Sequence, residues 1–185
     1  MATRTEATIE DLYHAPRDNG TYELVNGELV QMSPTGFVPN RVAGHIYRLL
    51  AAYEEIIGAG YALTDNAGYI VALPHRKSFS PDASSTMHAP SDGMRFIEGA
   101  PIFAAEVRSE GDYGPAADRA YAAKRRDYFA AGTRVVWDVD PMRQTIAAYR
   151  DDRPDTPSRF GIGDMADAES ALPGWRVATE AIFRT

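Results

Sequence analysis

The sequence contains no cysteine. This absence excludes a disulfide framework, a thiolate zinc site and a cysteine nucleophile, and it is typical of a reducing compartment. The chain also has no apolar run approaching the roughly 20 residues of a membrane-spanning helix, and residues 1–6 form no apolar signal segment. We therefore expect a soluble, cytoplasmic protein that does not enter a membrane.

The chain contains fewer basic than acidic residues. The 185 residues carry a net charge of −7 and a pI near 5.1, whereas nucleic-acid binding normally depends on clustered Lys and Arg. Part of the negative charge would suit a metal site, where bound divalent cations reverse the local field. The chain also lacks internal repeats and a recognisable linker, so we expect one domain spanning residues 1–185.

Turn and cap signals divide the first half of the chain into short elements. Thr8, with an acid three residues later, predicts a capped helix. Asn26-Gly27 between two β-rich runs predicts a hairpin, because both central residues of a type I′ turn need positive φ. Apolar residues at helical spacing predict a long helix over residues 39–57. The other elements predicted here are strands at residues 61–64, 68–73 and 79–84, and a loop at 87–99.

Two nearly apolar segments, residues 101–107 and 133–139, flank a helical segment at residues 116–131. This order predicts a parallel crossover with buried strands, and it places Glu106 near the centre of the sheet. Downstream, we expect a returning strand at residues 144–149 and a proline-containing loop at 150–163.

Side-chain direction makes Glu106 informative. Because successive strand residues point to opposite faces, Ile102, Ala104, Glu106 and Arg108 are predicted to share one face. An ionised carboxylate on a buried strand is costly unless it is paired or bound to a metal. Glu106 is therefore a candidate for either arrangement.

On the following helix, a core-facing stripe at roughly 100° per residue contains Lys124. The other members of the stripe are Ala117, Tyr121, Tyr128 and Ala131. The ammonium of Lys124 is thus predicted to point to the sheet, whereas Arg119, Arg125 and Arg126 are predicted to lie on a solvated face.

Each candidate residue also has a plainer interpretation. Asp82, directly after Pro81, fits a turn or strand-end residue that bonds its own backbone. Glu106 fits a buried ion pair with Arg108 or Lys124. Lys124 fits a lysine whose stem snorkels out of the stripe. The residues alone leave these interpretations open.

Five motifs in order carry a resemblance to a known family. They are Tyr22-Glu23-Leu24-Val25-Asn26-Gly27-Glu28-Leu29, Ser80-Pro81-Asp82, Ala105-Glu106-Val107-Arg108-Ser109-Glu110-Gly111-Asp112, Lys124-Arg125-Arg126-Asp127-Tyr128-Phe129-Ala130-Ala131-Gly132 and Val136-Trp137-Asp138-Val139-Asp140-Pro141. With these motifs, from about Ile9 to Trp175, the chain resembles the Uma2 family of the restriction-endonuclease-like, PD-(D/E)XK nuclease superfamily. The resemblance implies a mixed α/β fold, with a central mixed β-sheet flanked by helices and an N-terminal β-hairpin.

The resemblance also implies roles for particular residues. Asp82 corresponds to the superfamily's acid after proline, and Glu106 to the acid on the next core strand. The family supplies its lysine from the following helix, which matches Lys124. Arg108 stands where many superfamily members carry lysine, and it would clamp a phosphate oxygen. Glu23 matches the acid of the family's hairpin, as an additional ligand or a water-orienting group.

These assignments imply a metal-dependent endonuclease that cleaves DNA. Asp82, Glu106 and the carbonyl of Val107 would hold one or two Mg²⁺ (or Mn²⁺) ions, and cutting both strands would favour a homodimer. Two other functions stay open: a non-catalytic binding or interaction module with the same fold, and hydrolysis of another phosphoester, such as RNA or a nucleotide.

Overall fold

The structure is a computed structural model that describes residues 6–16, 20–90 and 92–184. Helices in this part of the chain are α1 (Ile9–Tyr13), α2 (Phe37–Ile57), α3 (Pro115–Ala130) and α4 (Thr179–Phe183). The strands are β1 (Thr21–Val25), β2 (Glu28–Met32), β3 (Tyr61–Thr64), β4 (Tyr69–Ile70), β5 (Ser78–Phe79), β6 (Ala83–Thr86), β7 (Ile97–Glu98), β8 (Phe103–Val107), β9 (Val135–Asp140), β10 (Thr145–Arg150), β11 (Arg153–Phe160), β12 (Met165–Asp167) and β13 (Arg176–Ala178).

The local signals at the N-terminal end produce the predicted structures. Thr8 and Asp11 exchange hydrogen bonds in a capping box at the start of α1. Strands β1 and β2 pair antiparallel around Asn26 and Gly27, whose φ values of 52° and 70° give the type I′ turn. Helix α2 begins two residues before Pro39. Proline is tolerated in this first turn because the N–H groups there have no intrahelical partner.

A six-stranded sheet in the order β11-β10-β9-β8-β6-β3 forms the centre of the molecule. Strands β8 and β9 are parallel and are joined through α3, which confirms the predicted crossover, while their outer neighbours run antiparallel. The sheet is therefore mixed, as predicted. Glu106 lies on β8, one of its two central strands.

The two faces of the sheet carry separate cores. Phe103, Ala105 and Val107 pack on one face with Trp137, beneath α2. Ala104 packs on the other face in a smaller cluster that includes Tyr128 of α3. The alternation predicted for β8 is thus confirmed within the strand. Ile102, which precedes β8, is the exception, since it packs with the α2-side core.

Residues 150–163 were predicted as loop, and that prediction is wrong. Strand β11 occupies residues 153–160 and pairs with β10, with a bulge between Ala148 and Arg150. The residues of β11 that pair with β10 are Arg153 and Ser158–Phe160, so Pro154 and Pro157 both lie in the stretch where the register shifts, and the other side of β11 is the edge of the sheet. Proline therefore marks an edge strand here.

Smaller differences occur around Pro81. The strand predicted at residues 79–84 divides into β5 and β6, and the strand predicted at 68–73 shortens to β4. The segment 87–99 contains β7, which pairs parallel with β4. The break around Pro81 and Asp82 allows the chain to leave the small sheet of β4, β5 and β7 and enter the central one.

Arg125 is not on a solvated face, contrary to prediction. It is half-buried, its guanidinium carbon lies 3.4 Å from the ring centroid of Tyr149, and burial lowers its pKa. Strand β10 carries Tyr149 beneath this side of α3, so the core-facing stripe of α3 is wider than the sequence indicates.

Among the described residues, no helix is both long and apolar enough to cross a bilayer.

Candidate active site

Acidic residues stand at the same level on neighbouring strands of the central sheet. Ala83 pairs with Ala105, so the preceding Asp82 lies beside Glu106, and the Asp82 N–H donates to the Ala105 carbonyl at 3.1 Å. Glu106 in turn pairs with Asp138 on β9. Since paired residues of adjacent strands point to the same face, these acids all face α3. The sheet thus gathers negative charge beneath one helix.

Asp82 is held by the backbone at the end of the short break before β6. Its Oδ2 accepts a hydrogen bond of 2.6 Å from the Val107 N–H. Burial, and then the negative charge of Glu106, raise the pKa of Asp82 to about 8. No lysine or arginine of the described chain forms an ion pair with it. Among the described residues, Asp82 is therefore a buried carboxyl that no ion pair compensates, and below about pH 8 it stays protonated.

Glu106 is 8% exposed and has two side-chain donors. Lys124 Nζ lies 2.9 Å from Oε2, and the Tyr128 hydroxyl donates to Oε1 at 2.6 Å. Burial raises the pKa of Glu106, and the Lys124 ammonium opposes that rise. Tyr128 itself stacks on Phe79 with ring centroids 4.0 Å apart, so its hydroxyl is held in place. Both oxygens of Glu106 thus have defined partners.

Lys124 reaches the sheet from α3, as its place in the helical stripe predicts. Besides Glu106, its Nζ lies 3.0 Å from Oε1 of Glu23. Burial alone would lower the pKa of Lys124, but Glu106 and Glu23 raise it above its usual value, so Lys124 is an ammonium. The structure therefore brings Asp82, Glu106, Lys124 and Glu23 together.

Glu23 belongs to β1 and is 3% exposed. Its Oε2 receives Arg76 Nη1 at 2.6 Å, and its Oε1 receives the Ser80 N–H at 2.9 Å as well as Lys124. Although burial would raise the pKa of Glu23, Lys124 and Arg76 lower it, so this carboxylate is ionised. Glu23 is a fully bonded anion inside the protein.

Sequence reasoning missed three members of this network, namely Arg76, Asp127 and His75. Arg76 donates through Nε to Asp127 Oδ2 at 2.8 Å, and His75 contacts Asp127 Oδ1 at 2.7 Å. Asp127 lies three residues after Lys124 on α3, and this helical spacing could have identified it as a neighbour of Lys124. Nothing local marks Arg76, because its place depends on an isolated bridge to Val25 of β1.

Arg108 turns away from Glu106 and Asp82. Its Nε and Nη2 donate to the two carboxylate oxygens of Asp138, each at 2.8 Å. Its Nη1 donates to Asp118 and to the carbonyl of Asp112. Hydrogen bonds to these acids raise the pKa of Arg108 further. The guanidinium thus fastens the segment between β8 and α3 to β9.

A mixed sheet with a parallel crossover, two carboxylates on adjacent strands and a helix-borne lysine define a restriction-endonuclease-like protein. A solved structure described as "a putative nuclease belonging to DUF820 from Anabaena variabilis ATCC 29413" matches it with a TM-score of 0.74, 17% identity, and coverage of 95% of this chain and 97% of that chain. At this identity, the match shows the fold.

The chain belongs to the Uma2 family, whose model, described as "Putative restriction endonuclease", matches residues 9–180. The family match supports a nuclease. No curated protein matches the chain.

Restriction-endonuclease-like proteins usually use divalent metal ions, and the donor set here fits a hard cation. Asp82 and Glu106 supply carboxylate oxygens, and Mg²⁺ is usually bound through one or two carboxylates while it keeps several waters. Burial is the main cause of the raised pKa of Asp82, and the negative charge of Glu106 beside it adds to the rise. Within residues 6–16, 20–90 and 92–184, no group of three or more His, Asp or Glu side chains could hold a metal ion, so a cation here would have two carboxylates and complete its shell with water.

Proposed function

We propose that this protein is a metal-dependent endonuclease that hydrolyses DNA phosphodiester bonds at Asp82, Glu106 and Lys124. The observation that carries the proposal is the buried Lys124 ammonium at 2.9 Å from Glu106, beside the uncompensated carboxyl of Asp82. Buried groups with strongly perturbed pKa values cluster at functional sites. An ion pair needed only for stability would not require Asp82 next to it.

Asp82, Glu106 and the carbonyl of Val107 would hold Mg²⁺ or Mn²⁺. Such an ion supplies a bound water of lowered pKa and stabilises negative charge on the attacked phosphate. The protein's own groups prepare the site. Tyr128 fixes the orientation of Glu106 and the Val107 N–H fixes Asp82, so a cation that binds here would displace the proton of Asp82 without moving either side chain.

Lys124 is the group that acts on the phosphate. A fixed ammonium stabilises the charge that develops on the phosphate oxygens, and it does so strongly where water is excluded. Its raised pKa keeps the proton on Nζ throughout the physiological range, so Lys124 acts as a cation rather than as a base.

Arg108 would contribute a phosphate clamp through one end of its guanidinium. Its partner Asp118 is 59% exposed, whereas its partner Asp138 is 10% exposed. A DNA phosphate can therefore replace Asp118 at Nη1 while Asp138 keeps the other end in place. Charge-assisted contacts of this type are among those that arginine favours with phosphate.

The proposal extends to quaternary structure and location. One such site lies within the described residues of a chain, so cleavage of both DNA strands would be achieved by a homodimer with two-fold symmetry. A cytoplasmic location suits a chain without cysteine. Analytical ultracentrifugation of the protein with and without a short DNA duplex tests the homodimer. A species with the mass of one chain under both conditions contradicts the dimer.

The direct test of function is cleavage of plasmid and linear DNA by purified protein with Mg²⁺ or Mn²⁺. We expect Glu106→Gln and Lys124→Met to lose about 100-fold or more in rate, the usual cost of removing a charge-stabilising group. Arg150→Gln is the control, because it removes a buried ion pair with Asp167 that belongs to another part of the sheet. Equal rates for all four proteins would remove the proposed site.

One observation favours a second candidate, a non-catalytic module of the same fold. Lys124 pairs with Glu106 and Glu23, and Arg76 also pairs with Glu23, so these two carboxylates have cationic partners without a bound metal ion. Calorimetric titration with Mg²⁺ and Mn²⁺ separates the two. Binding that disappears in Asp82→Asn supports the enzyme, and absence of binding supports the module. A parallel screen of RNA and mononucleotides identifies hydrolysis of another phosphoester.

A further inference from the structure

A closed ring of buried charges lies behind Lys124. Lys124 and Asp127 belong to the same helix, α3, and because they are three residues apart they lie on the same face of it. Lys124 pairs with Glu23, Glu23 with Arg76, and Arg76 with Asp127, at 3.0, 2.6 and 2.8 Å. The side chains of the ring are 4% to 14% exposed. The ring therefore returns to the helix from which it starts.

The backbone around Arg76 is fixed independently of the ring. The Lys77 N–H donates to the Leu24 carbonyl at 2.8 Å, and the Asn26 N–H donates to the His75 carbonyl at 2.6 Å. These bonds hold the segment around Arg76 against β1, the strand that carries Glu23. Arg76 thus reaches Glu23 from a rigid support.

We infer that Glu23, Arg76 and Asp127 are positioning residues, which hold the Lys124 ammonium at the site where the proposed endonuclease reaction takes place. The inference rests on that proposed function for its catalytic consequence. A lysine has a flexible four-carbon stem, and its ammonium takes one place only if more than one anchor holds it. Glu106 supplies one anchor, and Glu23 supplies the second.

The second anchor is needed because Glu106 has another task. An ammonium held by Glu106 alone would compete with any cation that Glu106 binds, and it would be displaced when one arrives. Glu23, by contrast, stays paired with Lys124 when a cation binds to Glu106. Its two oxygens are occupied by Arg76, Lys124 and the Ser80 N–H, so it acts through Lys124 and does not itself bind a cation.

The chain provides a direct observation of Lys124, because it contains two lysines, Lys77 and Lys124. Lysine labelled with ¹³C and ¹⁵N gives two side-chain ammonium signals by NMR. Lys77 donates to the carbonyl of Leu73 at 2.7 Å and reports on the segment next to Arg76. Lys124 reports on the ring. Exchange of the Lys124 ammonium hydrogens with water then measures how firmly it is held.

We expect Arg76→Gln and Asp127→Asn to accelerate exchange of the Lys124 hydrogens at least tenfold, with the Lys77 signal retained. Arg150→Gln is the matched control, since Arg150 and Arg76 are both 10% exposed and both pair with an acid at 2.6 Å. Unchanged exchange at Lys124 in both ring variants overturns the inference. Equal acceleration in the control, or loss of the Lys77 signal in both ring variants, shows a purely structural role and also overturns it.

Kinetics supply the second readout. Supporting residues of this kind are usually worth about 10–100-fold in activity, so we expect that loss in kcat for Arg76→Gln, with KM changed less than threefold. Arg76→Lys should recover part of kcat, because it retains the charge opposite Glu23 but cannot bond Asp127 as well. If the wild-type protein cleaves nothing, the proposed function fails, while lysine exchange still decides whether the ring positions Lys124.

Discussion

The carboxyl of Asp82 makes the stability of this protein depend on pH in a way that Asp82→Asn should abolish. The pKa of Asp82 is raised from its ordinary value to about 8, chiefly by burial. Between pH 5 and 7 the folded protein therefore keeps a proton that the unfolded chain has released. Stability falls as pH rises in this window, by about 1.4 kcal/mol per pH unit, and the loss is complete only above the folded-state pKa.

From pH 5 to 7 the wild-type protein should thus lose about 2.5 kcal/mol relative to Asp82→Asn. Contributions from other titrating groups cancel in this difference. Asparagine can still accept the hydrogen bond from the Val107 N–H, so the substitution removes the titration while keeping the contact.

The assay is urea unfolding of both proteins at pH 5, 6 and 7 in a chelating buffer. The quantity compared is the change in unfolding free energy of wild type minus that of the variant. A pH-dependent difference below about 0.5 kcal/mol would show that Asp82 titrates normally, and the argument for an uncompensated carboxyl would then fail.

The remaining predictions concern cation binding, charge burial and backbone conformation. Saturating Mg²⁺, at about 100 times its dissociation constant, should stabilise the wild-type protein by about 2.7 kcal/mol and leave Asp82→Asn unaffected, as thermal unfolding would show; equal responses contradict this. Lys124→Met should cost about 3–5 kcal/mol in urea unfolding, because Glu106 loses its buried cation, and a cost below about 1 kcal/mol would argue against the ion pair. Gly27→Ala should destabilise by about 1 kcal/mol or more, since φ is +70° there, whereas Gly44→Ala, in the exposed middle of α2 with nothing within 4 Å of the new Cβ, should stabilise by about 0.5–1 kcal/mol. The same sign for both glycine substitutions would contradict the backbone argument.

Local signals in the sequence account for much of this fold. Asn26-Gly27 predicts its hairpin because the turn geometry is set by those two residues. Because side chains alternate along β8, Glu106 lies on the face of the sheet opposite to that of Phe103, Ala105 and Val107. The helical stripe of α3 aims Lys124 at the sheet. In each case the information lies within one element, so spacing alone is sufficient.

The parts that could not be predicted depend on contacts between distant segments. Arg76 is held at the site by one β-bridge to Val25 of β1, and no residue near Arg76 in the sequence predicts that bridge. Strand β11 looks like a loop because its prolines and charges are permitted only at a sheet edge, and edge position is a property of the whole sheet. The ion pair of Arg108 with Asp138 likewise depends on the placement of β9 beside β8, which the local sequence does not determine.

The ring behind Lys124 also orders events during synthesis. Chains emerge from the ribosome with the N-terminal segment first, so Glu23, Asp82 and Glu106 all appear before α3 is complete. An unfinished chain holds the acids without the ammonium, and an isolated hairpin such as β1-β2 is at best marginally stable in water. Docking of α3 supplies Lys124 and Asp127 in one step and closes the ring. The proposed activity on DNA would therefore arise only once α3 has docked and has supplied Lys124.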